Sequence, residues 1–140
     1  MLHITKNITP EFTDVRGAIT KILDNGTAIK SILLITSRAG SVRANHYHKK
    51  DSHYCYILSG KMEYSEKPVA GGDGETAVLA AGDMVFTEPQ MIHAMRFLED
   101  TTFLAMATES RTQADYEADT VRIELVSPVR SSPPSNGVKP

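Results

Sequence analysis

Short runs of strand-forming residues, each ended by glycine or proline after roughly ten positions, constrain the fold of this chain more than any other feature. The candidate strands are residues 28–37, 53–66, 75–80, 83–88, 93–100, 101–110 and 120–126. No stretch shows the sustained 3.6-residue apolar period of a long helix, and 111–119 has room for about one helical turn. This rhythm is typical of an antiparallel sandwich or barrel, so we predict an all-β fold.

The length of the chain favours one domain. Its 140 residues are enough to bury a core without disulfides. We place a single domain at 1–126, because the last segment, 127–140, is rich in serine, proline and glycine and has almost no apolar content. Such a composition predicts a disordered tail.

Charge and cysteine content narrow the class of protein. The net charge is −2, which excludes the strongly basic balance of a general nucleic-acid or anionic-membrane binder. Cys55 is the single cysteine, so no internal disulfide can form, and one thiol fits a reducing compartment. The first residues do not resemble a signal peptide, and the apolar run 32–35 is too short to span a bilayer. We therefore expect a cytoplasmic protein that binds a small molecule.

Four of the five histidines form a candidate metal site. His46 and His48 are two positions apart, so on a strand they face the same side. His53 begins the next candidate strand and His93 begins a later one. Any one of them alone is better explained as a surface or hydrogen-bonded residue. Together they could surround one divalent ion, and imidazole suits zinc, copper, iron and nickel.

The spacing of these histidines resembles the first motif of the cupin superfamily. In this chain the matching positions are Gly40, His46, His48, His53 and Gly60. The stretch "GDMVFTEPQMIH" (82–93) resembles the second motif and ends at the last ligand position of that motif. Together the two motifs cover residues 40–97.

The cupin resemblance implies a double-stranded β-helix, which is a small jelly-roll barrel with a ligand in its interior. It also implies that His46, His48 and His93 are metal ligands. The fourth ligand of the family is normally glutamate, and His53 occupies that position here. Four neutral nitrogens favour zinc, nickel, iron or copper over manganese. The resemblance further implies a homodimer.

Three segments resemble cupins of bacterial polysaccharide and sugar-nucleotide biosynthesis: "DVRGAITKI" (14–22), "SVRANHYHK" (41–49) and "DYEADTVRIELV" (115–126). In that group the second segment lines the pocket, so Arg43 and Asn45 are candidate substrate-binding residues. An arginine at the mouth could hold a phosphate or carboxylate through two hydrogen bonds, although a solvated charge is an equal alternative. On a regular strand both side chains would face away from His46 and His48, and a bulge would change that.

Three functions remain open at this stage. The first is a metal-dependent enzyme, either an isomerase or epimerase acting on a carbohydrate or sugar nucleotide, or an iron dioxygenase. The second is a metal-free sugar-nucleotide enzyme in which His46 or His48 acts as general base. The third is a non-catalytic protein that binds a metal or a small ligand. We favour a small metal-binding cupin of the isomerase or epimerase type.

Overall fold

The computed structural model describes residues 1–128, in which most strands belong to two five-stranded antiparallel sheets. The predicted all-β jelly-roll fold is confirmed. In chain order the elements are β1 His3–Thr5, β2 Phe12–Asp14, β3 Gly17–Ile19, β4 Ser31–Ser37, β5 Val42–His48, β6 His53–Ser59, β7 Lys61–Pro68, β8 Glu75–Ala80, β9 Met84–Thr87, β10 Met91–Phe97, β11 Thr101–Ala107, α1 Gln113–Asp119 and β12 Thr120–Arg122. The predicted disordered tail lies outside the described residues from position 129 onward.

The two sheets face each other and enclose the core. Sheet I has the strand order β1-β9-β6-β11-β4, and sheet II has the order β12-β5-β10-β7-β8. More buried and less buried side chains alternate along β4 and the first part of β6, as expected for a sheet with one buried face, whereas β10 is buried at five consecutive residues. The buried core residues are Cys55, Ile57, Met62, Tyr64, Leu79, Val85, Met95, Phe97, Phe103 and Ala105. Among residues 1–128, no helix is long and apolar enough to cross a bilayer.

The prediction of 53–66 as a single strand is wrong, because the strand is interrupted at Gly60. Strand β6 ends at Ser59 in sheet I, and β7 begins at Lys61 in sheet II. Gly60 has a φ of +95°, and a β-carbon built there would lie 2.6 Å from Thr101 Cα and closer still to the Asp100 carbonyl oxygen. Only glycine fits this crossing between the sheets.

The amino-terminal strands were not predicted, since each has three residues and carries little periodic signal. Strand β1 pairs with β9, and β2 pairs with β3 in a hairpin outside both sheets. The short helix α1 begins after Thr112, whose hydroxyl accepts a hydrogen bond from Asp115 N. Helix α1 and β12 then return the chain to the edge of sheet II, beside β5.

We expect Gly60→Ala to destabilise the protein much more than Gly40→Ala. Both glycines have positive φ, but a β-carbon at Gly40 meets nothing within 4 Å. The Gly40 substitution should therefore lower the free energy of unfolding by about 1–2 kcal/mol through backbone strain alone. Gly60→Ala should cause the same strain and a further loss of roughly 1–3 kcal/mol through overpacking. The free energy of unfolding in urea measures both variants. Equal losses would contradict the close contact at Gly60.

Candidate active site

The four predicted histidines lie together at one end of the barrel. His46 and His93 are directly opposite each other on the paired strands β5 and β10, and His48 follows on β5. His53 comes from β6 in the other sheet. Ring centroids are 4.7 Å apart for His46 and His93 and 5.0 Å apart for His53 and His93. All four rings are buried, so the cluster joins the two sheets.

The potential ligand atoms fall into two overlapping groups rather than one set of four. One group consists of His46, His48 and His93, each offering a nitrogen within 4.8 Å of the others. The second consists of His48, Asp51 and His53 under the same limit. The cluster therefore allows metal binding, but the first group places only three of the four predicted ligands around one point.

Hydrogen bonds fix the tautomers of two rings in the first group. His93 Nδ1 lies 3.0 Å from the Met91 carbonyl oxygen, which can only accept, so Nδ1 carries the proton. His48 Nδ1 lies 3.3 Å from Thr120 Oγ1. The Thr120 hydroxyl already donates to the Tyr116 carbonyl at 2.6 Å, so it accepts from His48. In the neutral rings, the Nε2 atom of each histidine therefore carries no proton and has an available lone pair.

Burial keeps these imidazoles neutral. It is the main cause that lowers the pKa of His46 to about 4 and of His48 to about 3, with neighbouring His53 adding to both shifts. Burial also lowers the pKa of His53, and it places that of His93 well below the usual value. His48 Nε2 is a buried atom without a hydrogen-bond partner among the described residues. The residues therefore fit a divalent metal ion, which binds neutral imidazole through such a lone pair.

Asp51, which sequence reasoning did not single out, is a buried carboxylate beside His53. Its Oδ2 lies 3.4 Å from His53 Nδ1 and accepts a hydrogen bond from Arg111 Nη2 at 2.8 Å. Its Oδ1 accepts from the Glu109 amide at 3.1 Å. Burial alone raises the pKa of Asp51, but the contacts with His53 and Arg111 outweigh it and lower that pKa to about 2. His53 Nδ1 makes no hydrogen bond of good geometry among the described residues, so Asp51 acts on it through its charge. The ionised carboxylate favours a proton on the near nitrogen, Nδ1, and leaves Nε2 free.

The segment after β11 contributes two further residues to the site, Arg111 and Tyr116. No motif indicated Arg111, and Tyr116 lies in the stretch 115–126 but was given no role. The Arg111 guanidinium lies over the Tyr116 ring, 5.2 Å from its centroid. Tyr116, on α1, also contacts the rings of His46 and His48 at centroid distances of 6.1 Å and 5.7 Å. The sequence predicted a turn of helix in 111–119 and a resemblance of 115–126 to sugar-nucleotide cupins, but it assigned no side chain of this segment to the histidine site.

A cavity of about 150 Å³ lies between the two sheets next to the histidines. One part of its wall is polar and the other is apolar. Its lining residues are Ile35, Arg43, Ala44, His46, His53, Cys55, His93, Met95, Phe103, Ala105, Arg111 and Tyr116. His48 is not among them and lies behind this wall. The volume is below the roughly 300–1,000 Å³ of pockets that enclose a drug-sized ligand, so it could enclose only a small part of a larger substrate.

A bulge in β5 turns Arg43 toward the cavity. The pairing with β10 shifts between His93 and Ala94, where Ala44 and Asn45 have φ values of 69° and 55°. The condition for Arg43 to face away from the His46 side, a regular strand, is therefore not met. Arg43 lines the cavity and donates from Nε to Ser37 Oγ at 2.7 Å, so it bridges the two sheets at the mouth.

Asn45, the other predicted substrate-binding residue, is turned to the carboxyl-terminal segment. Its Oδ1 accepts from the amides of Leu125 and Val126, both at 2.9 Å, and its Nδ2 donates to the Val126 carbonyl at 2.9 Å. It does not line the cavity. These bonds hold the chain after β12 against the bulge, and they give Asn45 a positioning role in the structure.

Comparisons with known proteins agree with this architecture. Residues 33–108 match the family model described as "Cupin domain". No curated protein matches. Three solved structures are similar in fold. A mutant of the 3,4-ketoisomerase QdtA from Thermoanaerobacterium thermosaccharolyticum in complex with TDP-4-keto-6-deoxyglucose has 21% sequence identity and a TM-score of 0.69, with 86% of each chain covered. A 3,4-ketoisomerase from Helicobacter canadensis has 20% identity and a TM-score of 0.70, with 86% of this chain and 90% of that chain covered. A dTDP-4-dehydrorhamnose 3,5-epimerase from Sulfolobus tokodaii has 18% identity and a TM-score of 0.65, with 78% of this chain and 70% of that chain covered.

Proposed function

The chain belongs to the cupin family, and from this premise we propose that it is an isomerase or epimerase that moves a proton beside the carbonyl group of a sugar carried on a nucleotide. The observation that carries the proposal is the position of His53. Its neutral imidazole lies on the wall of a small cavity, and the Asp51 carboxylate lies beside its Nδ1. A general base needs this arrangement, in which one ring nitrogen is free and the other is oriented. The named activities of the similar solved structures belong to the same reaction class.

The cavity wall suits a deoxysugar. Imidazoles on one side can contact the hydroxyl and carbonyl groups of a sugar ring. Met95, Phe103 and Ala105 on the other side can contact a methyl group. A nucleotide is too large for about 150 Å³, so it would remain outside the cavity.

Arg43 is in a position to bind the phosphates. It lines both the cavity and an adjoining surface cleft of about 530 Å³. Arg38 lies in the same cleft, together with hydroxyl side chains including those of Ser41 and Thr102. Guanidinium groups and hydroxyls are common ligands of phosphate oxygens, and an arginine can bind two of them at once. The sugar would then pass Arg43 to reach the histidines.

In this reaction His53 Nε2 removes a proton from the carbon next to the carbonyl group and, in isomerisation, later gives it to the former carbonyl carbon. Ionised Asp51 stabilises the imidazolium that forms in between. His48 is the alternative base, because Thr120 and Asp119 orient its Nδ1 at 3.3 Å and 3.6 Å. We assign the base to His53 because it borders the cavity directly, whereas His48 lies behind the wall.

The test is a panel of dTDP- and UDP-linked 4-keto-6-deoxysugars, with carbonyl migration or epimerisation followed by NMR in deuterated water. We expect turnover with at least one of them. His53→Gln should lower kcat by about 10²–10⁴-fold, the range for losing a general base, with KM changed little. His3→Gln, a substitution at an exposed histidine on β1, serves as the control.

Two outcomes would contradict the proposal. A wild-type protein that neither turns over nor is thermally shifted by any member of the panel would remove the sugar-nucleotide assignment. Loss of activity in His48→Gln with near-normal activity in His53→Gln would move the base to His48.

A second candidate function is metal binding by His46, His48 and His93, favoured by the unpartnered lone pair of buried His48 Nε2. Zinc, nickel, iron or copper would suit these three imidazoles. A bound ion would supply Lewis-acid polarisation of a carbonyl oxygen. The hydrogen bonds from His93 to Met91 and from His48 to Thr120 would orient the ligands.

Elemental analysis of protein prepared without a metal-binding tag tests this site. We expect close to one transition-metal ion per chain after reconstitution, and a loss of at least tenfold in metal affinity for His48→Gln. The reason is that this substitution removes one of three ligands, and even changes in the residues around a ligand cost 10–100-fold. His3→Gln is again the matched control. A wild-type chain that takes up no metal would leave the histidines to acid–base chemistry alone.

We also propose that the protein is a homodimer formed through the outer face of sheet I. Two apolar rows cross this face, which is partly exposed to solvent. Leu34 is 64% exposed and lies opposite Leu104, which lies opposite Tyr56. Ile32 is 66% exposed and begins the second row. A contiguous apolar patch of this kind marks an interaction surface, and a flat sheet face can pack on its own copy about a two-fold axis.

Leu34→Glu should convert the dimer to a monomer. A buried glutamate at the centre of this face would lose its hydration without gaining a partner. The mass by light scattering should fall from twice 15.3 kDa to 15.3 kDa. Val78→Glu is the control, since Val78 is 46% exposed on β8 of the other sheet. A wild-type monomer, or a Leu34→Glu dimer, would contradict this interface.

A further inference from the structure

Arg111 lines the cavity and has a buried hydrogen-bond donor without a partner among the described residues. The side chain is 14% exposed and lines the cavity wall. Its Nη2 donates to Asp51, and its guanidinium plane rests on the Tyr116 ring. Its Nε–H is a buried donor without a partner among residues 1–128. A buried N–H without an acceptor is costly, so an oxygen atom that reached this N–H from the cavity side would be bound favourably.

We propose that Arg111 is a catalytic residue whose Nε–H binds the carbonyl oxygen of the substrate and stabilises the negative charge that develops on it. The proposal rests on the proposed isomerase or epimerase function. Asp51 and Tyr116 hold the guanidinium in place from one edge and one face. Such a fixed cation in a water-poor site stabilises a developing oxyanion strongly because it does not have to reorient during the reaction.

The reaction balances without an oxidant. His53 Nε2 accepts the proton from the carbon next to the carbonyl group, and the electron pair of that C–H bond becomes the C=C bond of an enediolate. The former C=O π pair moves onto the oxygen held by Arg111. In isomerisation, the neighbouring hydroxyl gives its proton to the former carbonyl oxygen, and protonated His53 then gives its proton to the former carbonyl carbon. In epimerisation, His53 keeps the proton that it removed, and a second acid on the opposite face of the enediolate protonates the original carbon.

Neighbouring groups are less suitable for this role. Arg43 has its Nε and Nη2 engaged at the mouth by Ser37 Oγ and the Thr36 carbonyl, at 2.7 Å and 3.0 Å. His93 uses its Nδ1–H on the Met91 carbonyl. Arg111, by contrast, has a free donor, and it shares the Asp51 carboxylate with His53, which places the cation and the base in the same part of the cavity.

The first experiment compares the wild type, Arg111→Lys and Arg122→Lys with the substrate identified from the panel. Lysine keeps a positive charge for Asp51 but has no N–H at the Nε position. We expect kcat to fall by about 10²–10³-fold in Arg111→Lys, as for the loss of one oxyanion donor, while KM changes by less than about threefold. Deuterium at the transferred position should give a larger isotope effect on kcat, because proton abstraction becomes slower. Arg122→Lys, at an exposed pair with Glu117, should behave as the wild type.

The second experiment does not need a variant that folds well. The Nε–H resonance of Arg111 in the wild-type protein is followed by ¹⁵N–¹H NMR as ligand is added. TDP-4-keto-6-deoxyglucose should shift this resonance, whereas TDP, which has no sugar to enter the cavity, should not.

The outcomes separate the two proposals. Wild-type turnover with an unchanged kcat and isotope effect in Arg111→Lys, or a resonance that does not move with the sugar nucleotide, would overturn the assignment of Arg111 alone. A wild-type protein without turnover on the whole panel would overturn the proposed function and, with it, the role of Arg111 in that reaction.

Discussion

A single buried negative charge organises the candidate site. Asp51 lies in the β5–β6 connection, beside His53 and Arg111, which line the cavity. Its carboxylate accepts hydrogen bonds from Arg111 and the Glu109 amide and faces His53, while its own amide donates to Asp119. Removing one partner of a buried ion pair leaves the other uncompensated, so these contacts are strongly coupled. Through them, the β5–β6 connection, the end of β11 and helix α1 are held in one arrangement.

This arrangement explains how a cluster of neutral rings can lie beside buried charges. The positive charge of Arg111 opposes protonation of His46 and His48, as does burial. Asp51 acts in the opposite direction on both rings, and on His53 it is the main influence that opposes burial. Burial remains the largest cause in each case. The site is thus able to accept a proton or a metal ion at nitrogen, and the same donor set supports both candidate functions.

Much of the architecture follows from local sequence signals. The glycine-limited run 75–80 predicted β8 with its observed bounds, and similar runs predicted most of the other strands. Because His46 and His48 are two positions apart on one strand, strand periodicity alone predicts that their side chains share a face. The crossing at Gly60 was missed because two strands in different sheets, joined without a loop, look like one longer strand in the sequence. Its cause is the contact with Asp100 and Thr101, forty positions away.

The chemistry around the histidines was harder to predict because it depends on pairing over long distances. The bulge that turns Arg43 toward the cavity arises where Ala44 and Asn45 adopt left-handed conformations. Asparagine favours this conformation more than most residues do, but alanine gives no such signal, so the sequence alone did not locate the bulge. Arg111 and Tyr116 reach the site through the return of α1 and β12 to β5. Two residues before His53, Asp51 could have been noticed as a possible orienting group, since carboxylates commonly accept from a histidine Nδ1.

The bonds between Asn45 and Val126 have a consequence for how the protein is made. They join residues separated by 81 positions, and β12 completes the sheet that carries three of the histidines. A ribosome that has synthesised β5, β6 and β10 has already produced all four imidazoles of the cluster, but not the segment that orients His48 and covers His46. Until residues 111–126 emerge, the nascent chain has exposed imidazoles and an unpaired edge at β5, where transition metals or another strand can bind. The surroundings of His46 and His48 are therefore complete only when residues 111–126 close over groups that the ribosome made much earlier.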